Sequence, residues 1–302
     1  MFKKLFLGTT TVDFNNLGDR FYKIFIVEFI LFTVILLSSI FGIFSLNLSV
    51  DFTGGTTYQL TTEYSESDIN DVLNNQILQV SRYQTFDNSD TIIFRAIEST
   101  QEIETELLNF ISDKFQIETA EIDFQRVGPT FGQDITEKGI RALIIFISII
   151  ALLISLRYEY KYAIIALVAL LHDLLLTFSF YVVIGLEITP STIIALLTIL
   201  GYSLYDTVIL FDKLKDSQRA FKISSLNENV LNKTFNEVLM RSINTSLTSA
   251  IPIISIIFIG NYLGIEGNLS DFAIPLLIGI ISGTYSSIFV TVPFLSKIIK
   301  TN

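Results

Sequence analysis

The sequence contains no cysteine and a single histidine, His172. The first absence excludes disulfides, thiol catalysis and zinc–thiolate sites. The second excludes a metal site built from several histidines. No Gly-rich phosphate loop of the Walker type occurs, so this chain is not expected to consume ATP. Positive charge is scarce: 20 Lys and Arg face 30 Asp and Glu, a formal charge of −10, which argues against nucleic acid as a partner. A cleavable signal is not expected either. The first apolar run has no obvious small-residue cleavage site and is longer than a signal-peptide core. No catalytic constellation, cofactor site or metal site is apparent, so the chain does not read as an enzyme.

What the chain has is apolar length. Half of its residues are hydrophobic, gathered into runs that can cross a bilayer as helices. Six spans are predicted, over residues 24–46, 140–156, 162–186, 190–211, 242–263 and 272–295. Residues 1–23 form an N-terminal segment, 47–139 one large polar loop, 212–241 a second loop and 297–302 the C-terminal end. Basic residues set the orientation. Lys3, Lys4, Arg20 and Lys23, then Arg157 and Lys161, then Lys213, Lys215, Arg219, Lys222, Lys233 and Arg241, then Lys297 and Lys300 all fall on one side. Both termini are therefore expected in the cytoplasm and the 47–139 loop outside.

That loop reads as a small α+β domain. The alternation at 56–63 predicts a strand, and Ser67 is placed to cap a helix over 68–76. Strands are predicted at 77–86 and 91–97 around the turn-rich residues 87–90. A helix starting at Ser99 or Thr100 and running to 115 precedes a last strand at 117–127. The order βαββαβ is the ferredoxin-like arrangement. The loop's acidity reads as a solvated surface.

The informative residues are the polar ones inside the spans. Asp206 sits about four turns into span four. Such an acid costs roughly 2.5–3.5 kcal/mol on insertion scales, so it must face a partner or a wet cavity. It is either a helix-packing group bonded to hydroxyls or a site that carries protons or another cation. His172 and Asp173 are adjacent near the middle of span three, pointing about 100° apart, and can relay protons or tie helices together. Span one holds Glu28 about one turn inside its start. In span five Arg241, Thr245 and Thr248 recur at helical spacing as one polar stripe, and pairing of Arg241 with Asp206 is expected. Gly279 and Gly283 form a small-xxx-small face in span six, and Gly201 of span four is assigned to packing with them. Pro252, Pro275 and Pro293 can bend their spans.

Several of these stretches, each in the corresponding span, resemble the SecF family, the smaller membrane component of the bacterial SecD–SecF export complex. Val50-Asp51-Phe52-Thr53-Gly54-Gly55 resembles its outer motif, and Val127-Gly128-Pro129-Thr130-Phe131-Gly132 its re-entry into span two. Leu171-His172-Asp173, Gly201-Tyr202-Ser203 with Asp206-Thr207, Arg241 with Asn244-Thr245-Ser246, and Gly283-Thr284-Tyr285-Ser286-Ser287 are similar as well. Tyr205 departs from the pattern, in which Asn often precedes the aspartate. The resemblance implies an inner-membrane subunit that uses the proton motive force with SecD, beside the SecYEG channel, to promote export of a translocating preprotein. It implies that Asp206 and Arg241 lie on the proton pathway with Thr245 nearby, and it implies kinship with resistance-nodulation-division transporters. Sodium is an alternative coupling ion, since a carboxylate accepts either. Two other readings fit the residues: a proton-coupled small-molecule exporter, and a structural subunit with no energy input.

Overall fold

Hydrocarbon offers a backbone no hydrogen-bond partners, so apolar runs of this length can close their bonds only as helices. In the computed structural model, which describes residues 12–44, 46–75, 80–86, 90–96, 100–221, 228–263 and 268–295, six helices are long and apolar enough to cross a membrane. They are α1 (Phe14–Ile40), α5 (Pro129–Arg157), α6 (Tyr160–Ile184), α7 (Pro190–Phe221), α8 (Glu228–Leu263) and α9 (Asn268–Tyr285). After α9 a π turn, Ser286–Val290, carries span six on to Leu295. Between α1 and α5 come β1 (Asn47–Leu48), α2 (Val50–Thr53), β2 (Gly55–Thr61), α3 (Glu66–Leu73), β3 (Val80–Phe86), β4 (Thr91–Ala96), α4 (Gln101–Phe115) and β5 (Asp123–Val127).

Helix ends differ from the hydropathy boundaries where capping chemistry outweighs apolarity. The first span stops at Ile40, because Gly42 adopts φ 71° and Ile43 N–H bonds back to Ser38 at 3.1 Å. The second begins at Pro129, inside the stretch expected to be loop, since proline is well suited to a helix's first position. Most of the expected 212–241 loop is helical: α7 runs on to Phe221 and α8 starts at Glu228, while 222–227 lies outside the described residues.

The intervening segment forms a four-stranded antiparallel sheet of order β3-β4-β2-β5. Tyr58, Leu60, Ile92 and Phe94 from the sheet pack on Ile69, Val72, Leu107 and Ile111 from α3 and α4. The cap of α3 is Ser65, not Ser67: Ser65 and Asp68 bond reciprocally in a capping box. Residues 117–127 are not one strand, because a 3₁₀ turn at Thr119–Glu121 precedes β5. Residues 76–79, 87–89 and 97–99, which include parts of the expected strands and their turn, lie outside the described residues. Buried Glu104 accepts from Thr56 Oγ1 at 3.0 Å and pairs with Arg126 at 3.3 Å. Burial, with that carboxylate nearby, pushes the Tyr58 phenol up from its ordinary range.

This sheet is joined to the helices by a compact connection. Asn47–Leu48 pairs in parallel with Glu187–Ile188 (β6), Ser49 N–H donates to Ile188 at 2.9 Å, and Arg95 of β4 forms an ion pair with Glu187. Asp51 Oδ2 accepts from Ser49 Oγ at 3.2 Å. The backbone at Phe52 lies so close to α5 that a Cβ on Gly132 would be 2.6 Å from the Phe52 carbonyl oxygen. Gly55 has φ 134° and no room for a side chain, with Ala96 O only 2.4 Å from where a Cβ would be. Gly54 and Gly55 thus let the chain turn from α2 directly into β2.

Among the helices, spans three, four and six are central: 50, 44 and 56 % of their apolar windows are buried, against 6, 11 and 17 % for spans one, two and five. Close approach of spans four and six depends on glycine. A Cβ on Gly279 would fall 2.2 Å from Ile199 Cδ1, and one on Gly283 2.9 Å from Ser203 Cβ. Gly201 does not share this role: it is exposed, and a Cβ there would meet nothing within 4 Å.

Gly279→Leu is therefore expected to destabilise the purified chain in detergent by about 1–3 kcal/mol. Adding Ile199→Ala should recover much of that loss in a thermal unfolding assay; an unchanged Gly279→Leu transition would contradict the contact. Glu187→Ala, which removes the ion pair with Arg95, should cost roughly 3 kcal/mol. The apolar double variant Arg95→Met with Glu187→Leu should cost much less, and equal losses would show that the pair is not the relevant contact.

Candidate functional site

The central helices place their polar side chains toward one another. Asp173 is 1 % exposed, and three serines from two other spans donate to it. Ser203 Oγ of span four is 2.6 Å from Oδ2, Ser286 Oγ of span six 2.8 Å from the same oxygen, and Ser282 Oγ 2.5 Å from Oδ1. Small residues on span six make this possible: with Gly279 and Gly283 against span four, a serine hydroxyl is short enough to reach across. The π turn at Ser286–Val290 leaves helical bonding irregular at that point, and Thr291 Oγ1 fills in by donating to Ser286 O at 3.2 Å.

His172 points elsewhere, as its offset from Asp173 on the helix requires. It is fully buried against span one, with Phe25 and Phe32 ring centroids at 5.9 and 5.6 Å. Its Nε2 is 3.5 Å from Glu28 Oε2 and its Nδ1 3.5 Å from Asp173 Oδ1. Tyr285 of span six donates to Glu28 at 3.0 and 3.1 Å.

One helical turn beyond Ser203, Asp206 faces the same interior and is 2 % exposed. Its Oδ2 is buried without a hydrogen-bond partner, as is the hydroxyl of Ser242. Ser242 and Arg241, both from span five, are the groups that bear on this carboxylate. The expected ion pair is not formed, however: no nitrogen of Arg241 lies within 4.0 Å of Asp206. Arg241 instead donates to the Tyr205 hydroxyl at 2.9 Å and lies 5.8 Å from the centre of that ring. The reason is a one-residue rotation on both helices. Asp206 and Ser242 point inward, while their neighbours Tyr205 and Arg241 are exposed.

The predicted span-five stripe is corrected by the same rotation. Thr245 Oγ1 donates to the carbonyls of Arg241 and Ser242, and Thr248 Oγ1 to those of Asn244 and Thr245, so both bond to their own helix. The inward stripe is Ser242 and Ser246, at i and i+4. Ser246 shares hydrogen bonds with Tyr202 of span four, at 3.1 Å, and with Thr284 of span six. Sequence reasoning singled out Asp173, His172 and Asp206 but missed Ser203, Ser242, Ser282 and Ser286 as their partners. Their spacing carried that signal: Ser282 and Ser286 lie one turn apart, and Ser203 and Asp206 share a helix face. Among the described residues no group of three or more His, Cys, Asp or Glu is arranged to hold a metal ion.

Comparison with known proteins places this arrangement in a family. The family model described as "Protein export membrane protein SecD/SecF, C-terminal" matches residues 107–301, and the "SecD/SecF GG Motif" model matches 40–63, which include Gly54 and Gly55. The protein translocase subunit SecF of Calditerrivibrio nitroreducens is 34 % identical over 303 residues, covering 95 % of this chain and 94 % of that one. That of Streptomyces coelicolor is 36 % identical over 190 residues, 62 % of this chain and 51 % of the relative. That of Mycobacterium tuberculosis H37Rv is 44 % identical over 171 residues, 56 % of this chain and 39 % of the relative. The alignments thus span about half or less of the Streptomyces and Mycobacterium relatives. The crystal structure of SecDF from Thermus thermophilus, a translocon-associated membrane protein, matches 98 % of this chain and 40 % of its own with a TM-score of 0.82 at 24 % identity, which shows a shared fold. Six apolar helices, both family models and a relative matched almost end to end lead to one conclusion: this is a multi-pass membrane protein of the inner membrane and belongs to the SecD/SecF family.

Proposed function

We propose that this chain is an accessory subunit of Sec-type protein export that lets protons across the membrane and converts their passage into movement. Both termini lie in the cytoplasm, and the βαββαβ domain is a ferredoxin-like, periplasmic module. SecD is the partner whose spans complete the assembly, SecYEG the neighbouring channel and a translocating preprotein the cargo. The relatives are named translocase subunits, one of them a SecDF protein, which supports this reading. The chain makes and breaks no covalent bond in its substrate.

One observation carries the proposal. Asp206 is buried inside a span beside the Ser242 hydroxyl, and neither its Oδ2 nor that hydroxyl makes a hydrogen bond of ordinary length and angle. A structural tie would look like Asp173, whose oxygens accept three hydroxyls. An ionised, underbonded carboxylate is costly at this depth. Protonation removes the charge and supplies a donor that can serve Ser242. The site therefore has two states that differ in charge and in bonding between spans four and five, as a proton-driven switch requires. Arg241, held by Tyr205 just outside, biases the unprotonated state and can close on Asp206 as the helices move. Thr245 stiffens the backbone beneath Arg241, and Asp173 with His172 continues the polar path through Ser203. One charge crossing 100 mV supplies about 2.3 kcal/mol, so useful work needs repeated cycles.

Asp206→Asn, reconstituted with SecD and SecYEG in vesicles, should assemble normally and lose proton-dependent preprotein export by at least about tenfold, the effect of 1.4 kcal/mol. Retention of gradient-dependent export would refute the coupling role; loss of assembly would favour a purely structural subunit. Replacing the proton gradient by a sodium gradient in the same vesicles identifies the ion.

A further inference from the structure

Spans one and five begin at the end of the bundle away from the sheet domain, and a hydrogen-bonded clamp joins them there. The first N–H groups of a helix have no partner within it. At the start of α1 the partner comes from another helix: Phe14 N–H donates to Asn232 Oδ1 of α8 at 2.9 Å. The other arm of the same amide, Nδ2, donates to Asp13 Oδ1 at 3.0 Å. One turn along α8, Asn236 grips the main chain of Val12 with both arms. Its Oδ1 accepts from Val12 N–H and its Nδ2 donates to Val12 O, both at 2.9 Å. Beside the clamp Phe14 is 1 % exposed, in edge contact with Phe235 of α8 at 5.6 Å and 6.3 Å from Phe289 in the π turn of span six.

Asparagine is a poor helix former, yet at 232 and 236 it stands on one face of α8 and uses donor and acceptor to hold residues 218 to 224 positions away. Apolar packing is non-directional, so Phe14 alone would let α8 rotate or slide against α1. Directed bonds to four separate groups do not. The grip is transmitted, because α8 runs unbroken from Glu228 to Leu263 and its internal proline, Pro252, lies beyond Ser242. Ser242 is about 9 Å along the axis from Asn236 at 1.5 Å per residue. Rotation fixed at the clamp is therefore rotation delivered at Arg241 and Ser242. That rotation decides which of the two faces Asp206: Ser242 is buried, while Arg241 is held outside by Tyr205. Span five needs such a fixture, since only 17 % of its apolar window is buried. We infer that residues 12–14 are a strap, and that Asn232 and Asn236 are positioning residues that hold span five in register with Asp206 through it. The strap stands on its own contacts; its bearing on export rests on the function proposed above.

The chain has no cysteine, so spin labels can be attached in pairs and their separation measured in the full chain in lipid nanodiscs. Asp19→Cys with Lys233→Cys reports α1 against α8, and Asp216→Cys with Lys233→Cys reports α7 against α8; all three native side chains are exposed. Adding Asn232→Ala with Asn236→Ala should shift or broaden both distance distributions by about 2 Å or more, the scale of a helix displacement at an interface. An unchanged separation between α1 and α8 would refute the strap. A change there with an unchanged separation between α7 and α8 would refute the positioning role and leave only a cap on α1. If the double variant does not fold, Asn236→Ala alone, which deletes both bonds to Val12, is read in the same way. These distances are measured without any export assay, so they decide on the strap whether or not the proposed proton coupling holds.

Discussion

A carboxylate buried among helices that water does not reach must be satisfied by neighbouring side chains, and the bundle is built around that constraint. Asp173 obtains three hydroxyl donors, one from span four and two from span six. Each such bond is worth only about 0.6–2 kcal/mol within a membrane, but together they fix the rotation and height of three helices at once. The glycine contacts follow from the same requirement. Serine reaches across a helix pair only where backbones approach closely, which Gly279 and Gly283 allow on the face that carries Ser282 and Ser286.

Asp206 lies one turn along the same face of span four, yet its bonding is incomplete. Under the proposed function, the contrast between two acids in one polar seam separates a tie from a switch. Tyr205 has a part in this. It holds the Arg241 guanidinium at its hydroxyl, outside the seam and one residue round the helix from Asp206. The cation is thus kept close without neutralising the acid. A direct ion pair would have lowered the cost of the buried charge, and with it the advantage of taking up a proton.

Helix number, order and polar landmarks were legible in the sequence because hydrocarbon leaves the backbone few alternatives and makes every buried charge conspicuous. Asp173, His172 and Asp206 stand out for that reason. Their partners did not, since serine is unremarkable in a span and its role depends on which neighbouring helix faces it. The pairing of Asp206 with Arg241 was misjudged by one position on each of two helices, about 100°, a rotation that only packing determines. The boundaries at 40, 129 and 221 escaped hydropathy because a glycine turn, an N-terminal proline and a polar helical extension set them. In the 47–139 region the alternation of strands was readable, but the capping box at Ser65 and the 3₁₀ turn at Thr119–Glu121 were not separated from nearby turn formers.

The sheet domain is fixed to the helices through β1 with β6 and through Arg95 with Glu187, close to the connection between spans three and four. Under the proposed function, movement of span four is delivered near the base of that domain rather than dissipated in a linker. All of this depends on Asp206 changing its protonation while the surrounding helices stay assembled. The most direct measurement is the infrared carboxyl C=O band of the reconstituted chain followed across a pH series. The account predicts a band from a protonated carboxyl group that vanishes reversibly as the pH rises and is missing in Asp206→Asn. A spectrum in which no band depends on Asp206 at any pH would contradict it.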